Sequence, residues 1–193
     1  MTIIKSELKI FVLLALLVTS VLLLVFFKSF KVVIISLIVV LVGVVWSMGV
    51  IGIFGYELTS LMALIPPLII VIGIPNCIYL INKYQQEFKN HGDKLSALDK
   101  IIQKVGNATF LTNATTALGF GTFVFTNSSI MIEFGLVSFI NILCMFVISI
   151  CLVSIIYSFL PPPNEKHTKH LDRKWIFSFV NALVIFSKNY RKQ

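Results

Sequence analysis

Long apolar blocks, separated by short stretches that carry charge, dominate this sequence. Five blocks contain no Asp, Glu, Lys, Arg or His, and they occupy residues 10–27, 32–56, 58–82, 105–132 and 134–164. A helix needs about 20 apolar residues to cross a hydrocarbon layer about 30 Å thick. A turn inside lipid would leave backbone groups unpaired, so each block predicts a single span.

The pattern therefore predicts an all-α fold, a polytopic membrane helix bundle of about five transmembrane helices with short interfacial helices on the cytoplasmic side. The membrane domain is predicted over residues 1–160. Its spans are expected near residues 9–27, 32–54, 60–82, 108–126 and 132–158.

Two polar segments are expected to carry the short helices. In the loop after the third span, helical spacing of apolar residues predicts a helix over residues 93–105, with Asp93 as its N-cap. Residues 161–193 open with three prolines, which end the fifth span, and continue as a predicted cytoplasmic linker. Residues 175–187 are apolar but short, so an interfacial helix is favoured there and a sixth span is the alternative.

Composition agrees with a membrane protein. Hydrophobic residues make up 58% of the chain and charged residues 12%, with a mean hydropathy of +0.97. Soluble domains are about 45–50% apolar and about 25% charged, so a water-soluble enzyme and a disordered chain are both disfavoured. The net charge of +8 comes from basic residues spread between apolar blocks, and no nucleic-acid partner is predicted.

The basic residues also predict an orientation. In a five-span topology, fourteen of the sixteen Lys and Arg residues lie on one side, and only Lys5 and Lys9 lie on the other. The positive-inside rule makes the crowded side cytoplasmic. We expect a multi-pass protein of the bacterial inner membrane, the cell membrane, with its N-terminus outside and its C-terminus in the cytoplasm. An N-terminus outside without a signal suggests that a preceding segment is missing.

No catalytic constellation, cofactor site or metal site is predicted. Glu165, His167 and His170 have loosely ligand-like spacing, but one short cluster does not make a closed zinc site, and a solvated loop is the favoured interpretation. The apolar blocks also lack the ionisable residues that proton-driven pumps place in the membrane.

Uncharged polar residues cluster in the third and fourth spans. The candidates for a proton relay or a substrate path are Asn76, Tyr79, Thr112, Asn113 and Thr116. A second set is interpreted as helix-packing or kink residues: Pro66, Pro67, Gly73, Pro75 and Gly119. Small and hydroxylated faces let membrane helices approach closely, so packing is the favoured interpretation and a hydrophilic path between the two spans is the alternative.

An ordered series of segments resembles the resistance-nodulation-division (RND) superfamily, especially its MMPL-type and hydrophobe-exporter branches. The segments are Phe26-Phe27-Lys28-Ser29-Phe30, Gly49 through Gly55, residues 66–74, residues 78–84 and residues 109–120. The resemblance covers about residues 5–160, in the order of helices two to six of one transporter half. Sterol-sensing and Patched-like domains share this region.

The resemblance implies an exporter of lipids, drugs or other hydrophobic molecules, usually coupled to protons. Such proteins have two halves with large extracytoplasmic domains, so the chain is expected to be a fragment. Its implied partners are the lipid bilayer, a second transmembrane half, the extracytoplasmic domains and a hydrophobic substrate, and a homo-oligomer is left open. A sterol-sensing-like domain that binds lipid or acts as a scaffold without pumping is the alternative.

One position departs from the pattern of the family. Members often have an acidic residue, commonly Asp, after the glycine of this third span, whereas this sequence has Pro75-Asn76. Asparagine forms hydrogen bonds but does not titrate. The sequence leaves open whether the other half carries proton coupling or whether coupling is lost.

Overall fold

The computed structural model describes residues 2–27 and 29–160, and these ranges are helical apart from short connections. The all-α prediction is confirmed. Within the described ranges the helices are α1 (Thr2–Phe27), α2 (Phe30–Ile53), α3 (Ile65–His91), α4 (Lys94–Lys100), α5 (Gly106–Gly121) and α6 (Ser129–Phe159). Short 3₁₀ turns occupy Met62–Leu64 and Thr122–Phe125, and a π-helical turn occupies Ile101–Val105.

Three of the described helical runs are long and apolar enough to cross a membrane. They are Phe30–Ile53, Met62–Lys89 and Ser129–Phe159, which correspond to the second, third and fifth predicted spans. The described residues of α1 include a shorter apolar stretch, Ile10–Val21, and α5 has 16 residues. The described residues thus contain three helices that could span a membrane, while the five-span topology stays a prediction. The predicted linker and its helix over 175–187 lie outside the described residues.

The loop helix α4 begins at the predicted cap. The Asp93 carboxylate accepts hydrogen bonds from the Ser96 backbone N–H at 3.0 Å and from the Ser96 hydroxyl at 2.7 Å. No break separates this helix from the following one, because the π-helical turn connects α4 directly to α5. Residues 94–121 thus form one continuous helical run, whereas the sequence predicted two separate helices there.

Prolines lie in the first turn and in the middle of α3, and a glycine ends the helix. Pro66 and Pro67 lie in its first turn, where a missing N–H costs no intrahelical hydrogen bond. Pro75 lies inside the helix and cannot donate to the carbonyl of Val71, one turn earlier. The helix ends at Gly92, whose φ of 68° is left-handed and whose N–H donates to the Phe88 carbonyl at 2.9 Å.

The core lies where α2, α3 and α6 meet, and Met145 of α6 fills its centre. A Cβ at Gly43 of α2 would overlap the Met145 sulfur, and a Cβ at Gly73 of α3 would overlap the Met145 Cε. The same Cβ at Gly73 would lie 3.2 Å from Val40 Cγ2. The two glycines therefore form the socket that receives Met145, and they let three helices approach closely.

Glycines on α5 behave differently. Gly119 is exposed, and a Cβ there would meet no atom within 4 Å, so Gly119 makes no close helix contact within the described residues. The close approach between α5 and α6 lies nearer the end of α5. There a Cβ at Gly121 would lie 3.2 Å from the Phe139 ring, and a Cβ at Gly135 would lie 2.8 Å from the Phe120 carbonyl oxygen.

Candidate site between the third and fifth helices

Asn76 lies near the middle of α3, directly after the internal proline. Its exposed fraction is 7%, and that of Asn113 on α5 is 2%, so both amides are removed from the surface of the bundle. A buried polar side chain is costly unless it forms hydrogen bonds, and in a membrane no water is available as an alternative partner. The two asparagines are therefore expected to bond to protein groups.

The two asparagine side chains pair with each other. Asn76 Nδ2 donates to Asn113 Oδ1 at 3.0 Å, and Asn113 Nδ2 donates to Asn76 Oδ1 at 3.1 Å. Asn113 Nδ2 also donates to the Thr109 carbonyl at 2.8 Å, one turn earlier on α5. Each amide thus supplies one donor and one acceptor to a closed, neutral pair that joins α3 to α5. Neither side chain can bind or release a proton at physiological pH.

The other three candidates for a path do not join this pair. Tyr79 is 46% exposed, Thr112 is exposed and Thr116 is half-buried. The Thr112 hydroxyl donates to the Ala108 carbonyl at 3.0 Å, and the Thr116 hydroxyl donates to the Thr112 carbonyl at 2.8 Å. These hydroxyls are satisfied by their own helix, and the threonine face of α5 lies on the outside of the described bundle.

A polar stripe on α6 was not predicted from the sequence. Ser138, Asn141 and Ser149 are all buried, and they share the face of α6 that carries Met145. The Asn141 amide donates to the Val137 carbonyl at 2.9 Å and the Ser149 hydroxyl to the Met145 carbonyl at 2.7 Å. Ser138 Oγ and Asn141 Oδ1 have no hydrogen-bond partner within the described residues. Together with Met145, these polar residues recur every three or four positions along 138–149, and this helical spacing is the sequence signal that indicates a shared face.

The end of α3 that follows the asparagine holds aromatic and charged side chains. The ring of Tyr84 contacts that of Tyr157 on α6, with centroids 4.7 Å apart. Glu87 is buried and forms an ion pair with Lys83 at 3.5 Å. Among the side chains that the structure describes within residues 2–27 and 29–160, no group of three or more His, Cys, Asp or Glu could hold a metal ion. The Glu165, His167 and His170 cluster lies outside these ranges.

An apolar groove opens between the end of α5 and α6. Its volume is about 400 Å³, and it is lined by Leu118, Gly121, Thr122, Val124, Phe125, Leu136 and Phe139. Phe125 is 89% exposed beside it, on the 3₁₀ turn that ends the α5 region. Such a groove suits hydrocarbon and offers almost no polar group to orient a ligand.

Comparison with known proteins places this bundle in a family. The sequence model described as the MMPL family matches residues 1–182. A curated membrane protein of Methanocaldococcus jannaschii is 28% identical over 151 residues, which cover 78% of this chain and 37% of that protein. The chain thus spans little more than a third of the length of this relative. No solved structure matches the chain at a significant level.

Proposed function

The chain belongs to the MMPL family, and from that premise we propose that it forms the membrane-embedded part of an RND-superfamily exporter of hydrophobic or amphiphilic molecules. The much greater length of its relative supports a larger assembly, in which a second transmembrane half and extracytoplasmic domains complete the transporter. The hydrophobic substrate would enter from the bilayer, and the chain itself would perform transport rather than catalysis.

The observation that carries this proposal is the buried pair of Asn76 and Asn113. The pair lies inside the bundle where α3 meets α5. Asn76 comes shortly after Gly73, where the family resemblance leads one to expect an acidic residue. A transporter half that lacks a titratable group at this contact would be driven by its partner half. The amide pair would then hold α3 and α5 together while the proton moves elsewhere.

The sharpest test introduces a carboxylate into this pair. In the full-length protein, Asn76→Asp should make export more dependent on pH, because it places a titratable carboxylate at the contact between α3 and α5. Asn141→Asp is the matched control, since it buries the same group on α6, away from the α3–α5 contact. The control should reduce stability without adding pH dependence. Unchanged export for both Asn76→Asp and Asn76→Leu would contradict a functional role for this contact.

One observation favours a second candidate, a sterol-sensing-like domain that binds lipid or serves as a scaffold. The amide pair is closed on itself and neutral, which suits a fixed contact better than a moving one. Reconstituted vesicles loaded with a pH dye separate the two functions. Hydrophobe export by the full-length protein in response to a pH gradient supports the exporter, whereas lipid binding without transport supports the scaffold.

We also propose a multi-pass topology in the cell membrane, with the N-terminus outside and the loop around α4 in the cytoplasm. Leu95 of α4 is 73% exposed, so Leu95→Cys presents a reactive thiol without disturbing the core. In a background free of the native cysteines, an impermeant thiol reagent should label it only after the cells are opened. Labelling in intact cells would show that the loop around α4 lies outside, and it would contradict the proposed topology.

A further inference from the structure

A lysine side chain connects the loop helix α4 to the far end of α6. Lys94 Nζ donates to the Ser158 carbonyl at 2.5 Å and to the Leu160 carbonyl at 2.7 Å. The two contacts span 64 and 66 residues of sequence. They place an ammonium group at the end of a helix of 31 residues, where the helix dipole favours positive charge.

The sequence after α6 explains why this end needs a donor from elsewhere. In the common C-terminal cap, the N–H of the first residue after the C-cap donates to the carbonyl two residues before the C-cap. The C-cap of α6 is Leu160, so residue 161 would serve the Ser158 carbonyl. Residue 161 is proline, as are residues 162 and 163, and proline has no N–H.

Lys94 therefore replaces the donor that the proline run removes. The backbone of Leu160 is extended, with φ −72° and ψ 148°, as expected for a residue that precedes proline, and its carbonyl lies within reach of the same ammonium group. Two carbonyls at the end of α6, to which the three following prolines cannot donate an N–H, therefore accept hydrogen bonds from a side chain of another helix.

We propose that Lys94 is a clamp that holds α4 to the end of α6, and that α4 separates from α6 when this clamp is broken. Asp93 and Gly92 set the position of the lysine, because the cap by Asp93 starts α4 and the left-handed Gly92 turns the chain out of α3. The helical run from residue 94 continues into α5, which carries Asn113. The clamp therefore attaches the helical run that carries Asn113 to the end of α6, at a point distant from the asparagine pair.

Electron-paramagnetic-resonance distance measurements on the full chain in lipid nanodiscs test the clamp. Spin labels at Leu95 and Phe159, which are 73% and 85% exposed, report the separation of α4 from the end of α6. Labels at Val71 and Val147, both exposed, report the α3–α6 packing as an internal reference. The native cysteines Cys77, Cys144 and Cys151 are replaced by alanine in this background.

With Lys94 present, the pair at 95 and 159 should give a single narrow distance. Lys94→Met keeps the length of the side chain and removes the donors, so the narrow distance should be lost while the reference pair stays unchanged. Lys94→Arg retains donors and should keep the narrow distance. Lys31→Met removes an exposed positive charge at the start of α2, and it should change neither pair.

Several results would overturn the proposal. A narrow distance that persists in Lys94→Met would show that the ammonium does not hold α4. Equal broadening of both pairs would make Lys94 a support of the whole fold rather than a clamp. The same broadening in Lys94→Arg or in Lys31→Met would show that donation to the α6 carbonyls is not the cause.

Discussion

The bundle is held together in two different ways. Where α2, α3 and α6 meet, Gly43 and Gly73 receive Met145, and contact depends on the shapes of apolar side chains. Where α5 meets α3, a pair of asparagines forms the contact, whereas α5 packs on α6 through Gly121 and aromatic side chains. Lipid tails are as apolar as the side chains, so in a membrane the first contact depends on close packing and the second on hydrogen bonds.

The difference shows that small and hydroxylated residues do not by themselves mark a packed face. The α2 helix carries Gly43 in the core and Gly49 in open space, while α5 exposes Thr112 and Gly119. The threonine hydroxyls donate hydrogen bonds to carbonyls of their own helix and so need no partner on a neighbouring helix. Four experiments would break or sharpen this contrast between a shape-determined contact and a hydrogen-bonded one.

The largest effect is expected at the glycine socket. Gly73→Val places two methyl groups against Met145 and Val40, and overpacking of this kind should lower the free energy of unfolding by about 2–3 kcal/mol. Thermal denaturation in detergent measures the loss, and Met145→Ala in the same chain should restore part of it. Gly119→Val is the matched control and should have little effect, because the site is open. Equal losses at both glycines would contradict the socket.

A smaller loss is expected at the asparagine pair. Asn76→Leu removes both hydrogen bonds and leaves the buried Asn113 amide partly unpaired, which should lower the free energy of unfolding by about 1–2 kcal/mol. The double variant Asn76→Leu with Asn113→Leu should lose less than the sum of the single variants, since no amide is stranded. Strict additivity of the two losses would show that the pair is not formed. Thr116→Val, which removes a half-buried hydroxyl that bonds only within α5, is the control.

The cap of the loop helix should respond to pH. Hydrogen bonds from the Ser96 hydroxyl and N–H hold the pKa of the Asp93 carboxyl below its ordinary value of about 4. Because the pKa of Asp93 is lower in the folded state, the cap stabilises α4 fully above the pKa of the unfolded state. This stabilisation is lost as pH falls through the pKa of the folded state. Hydrogen exchange of the α4 amides, corrected for intrinsic rates, should therefore accelerate at acid pH.

Asp93→Asn separates this effect from general acid denaturation. Asparagine also caps helices but does not titrate, so α4 should stay protected to lower pH than in the parent chain. The same acid-induced exchange in both proteins would show that another group controls the helix.

The smallest effect is expected at Ser138. Its hydroxyl is fully buried and has no partner among the described residues, so Ser138→Ala removes a polar group that contributes no hydrogen bond. The melting temperature should stay unchanged or rise slightly. Ser149→Ala, on the same face of α6, breaks a hydrogen bond of 2.7 Å and should lower it. A clear loss in Ser138→Ala would indicate a bound water or another partner for this hydroxyl.

Some features of the candidate site were accessible from sequence. Asn76 and Asn113 could be singled out because a polar amide inside an apolar block is costly unless it is paired. The Asp93 cap followed from its position before a helical pattern, and the structure confirms it. The sequence pattern also groups Tyr79, Thr112 and Thr116 with the asparagines, because periodicity gives a residue's position around its helix and not the direction of the neighbouring helices.

Sequence alone determined the class of this protein, the positions of its most apolar helices and the absence of charge from their middle. These features depend on local hydrophobicity and on helical spacing, which are properties of short segments. Only the tertiary structure decided which glycines receive Met145, that Asn76 bonds to Asn113 and that Lys94 reaches the end of α6. Each of these contacts joins residues tens of positions apart, so it depends on how the helices rotate and pack against one another.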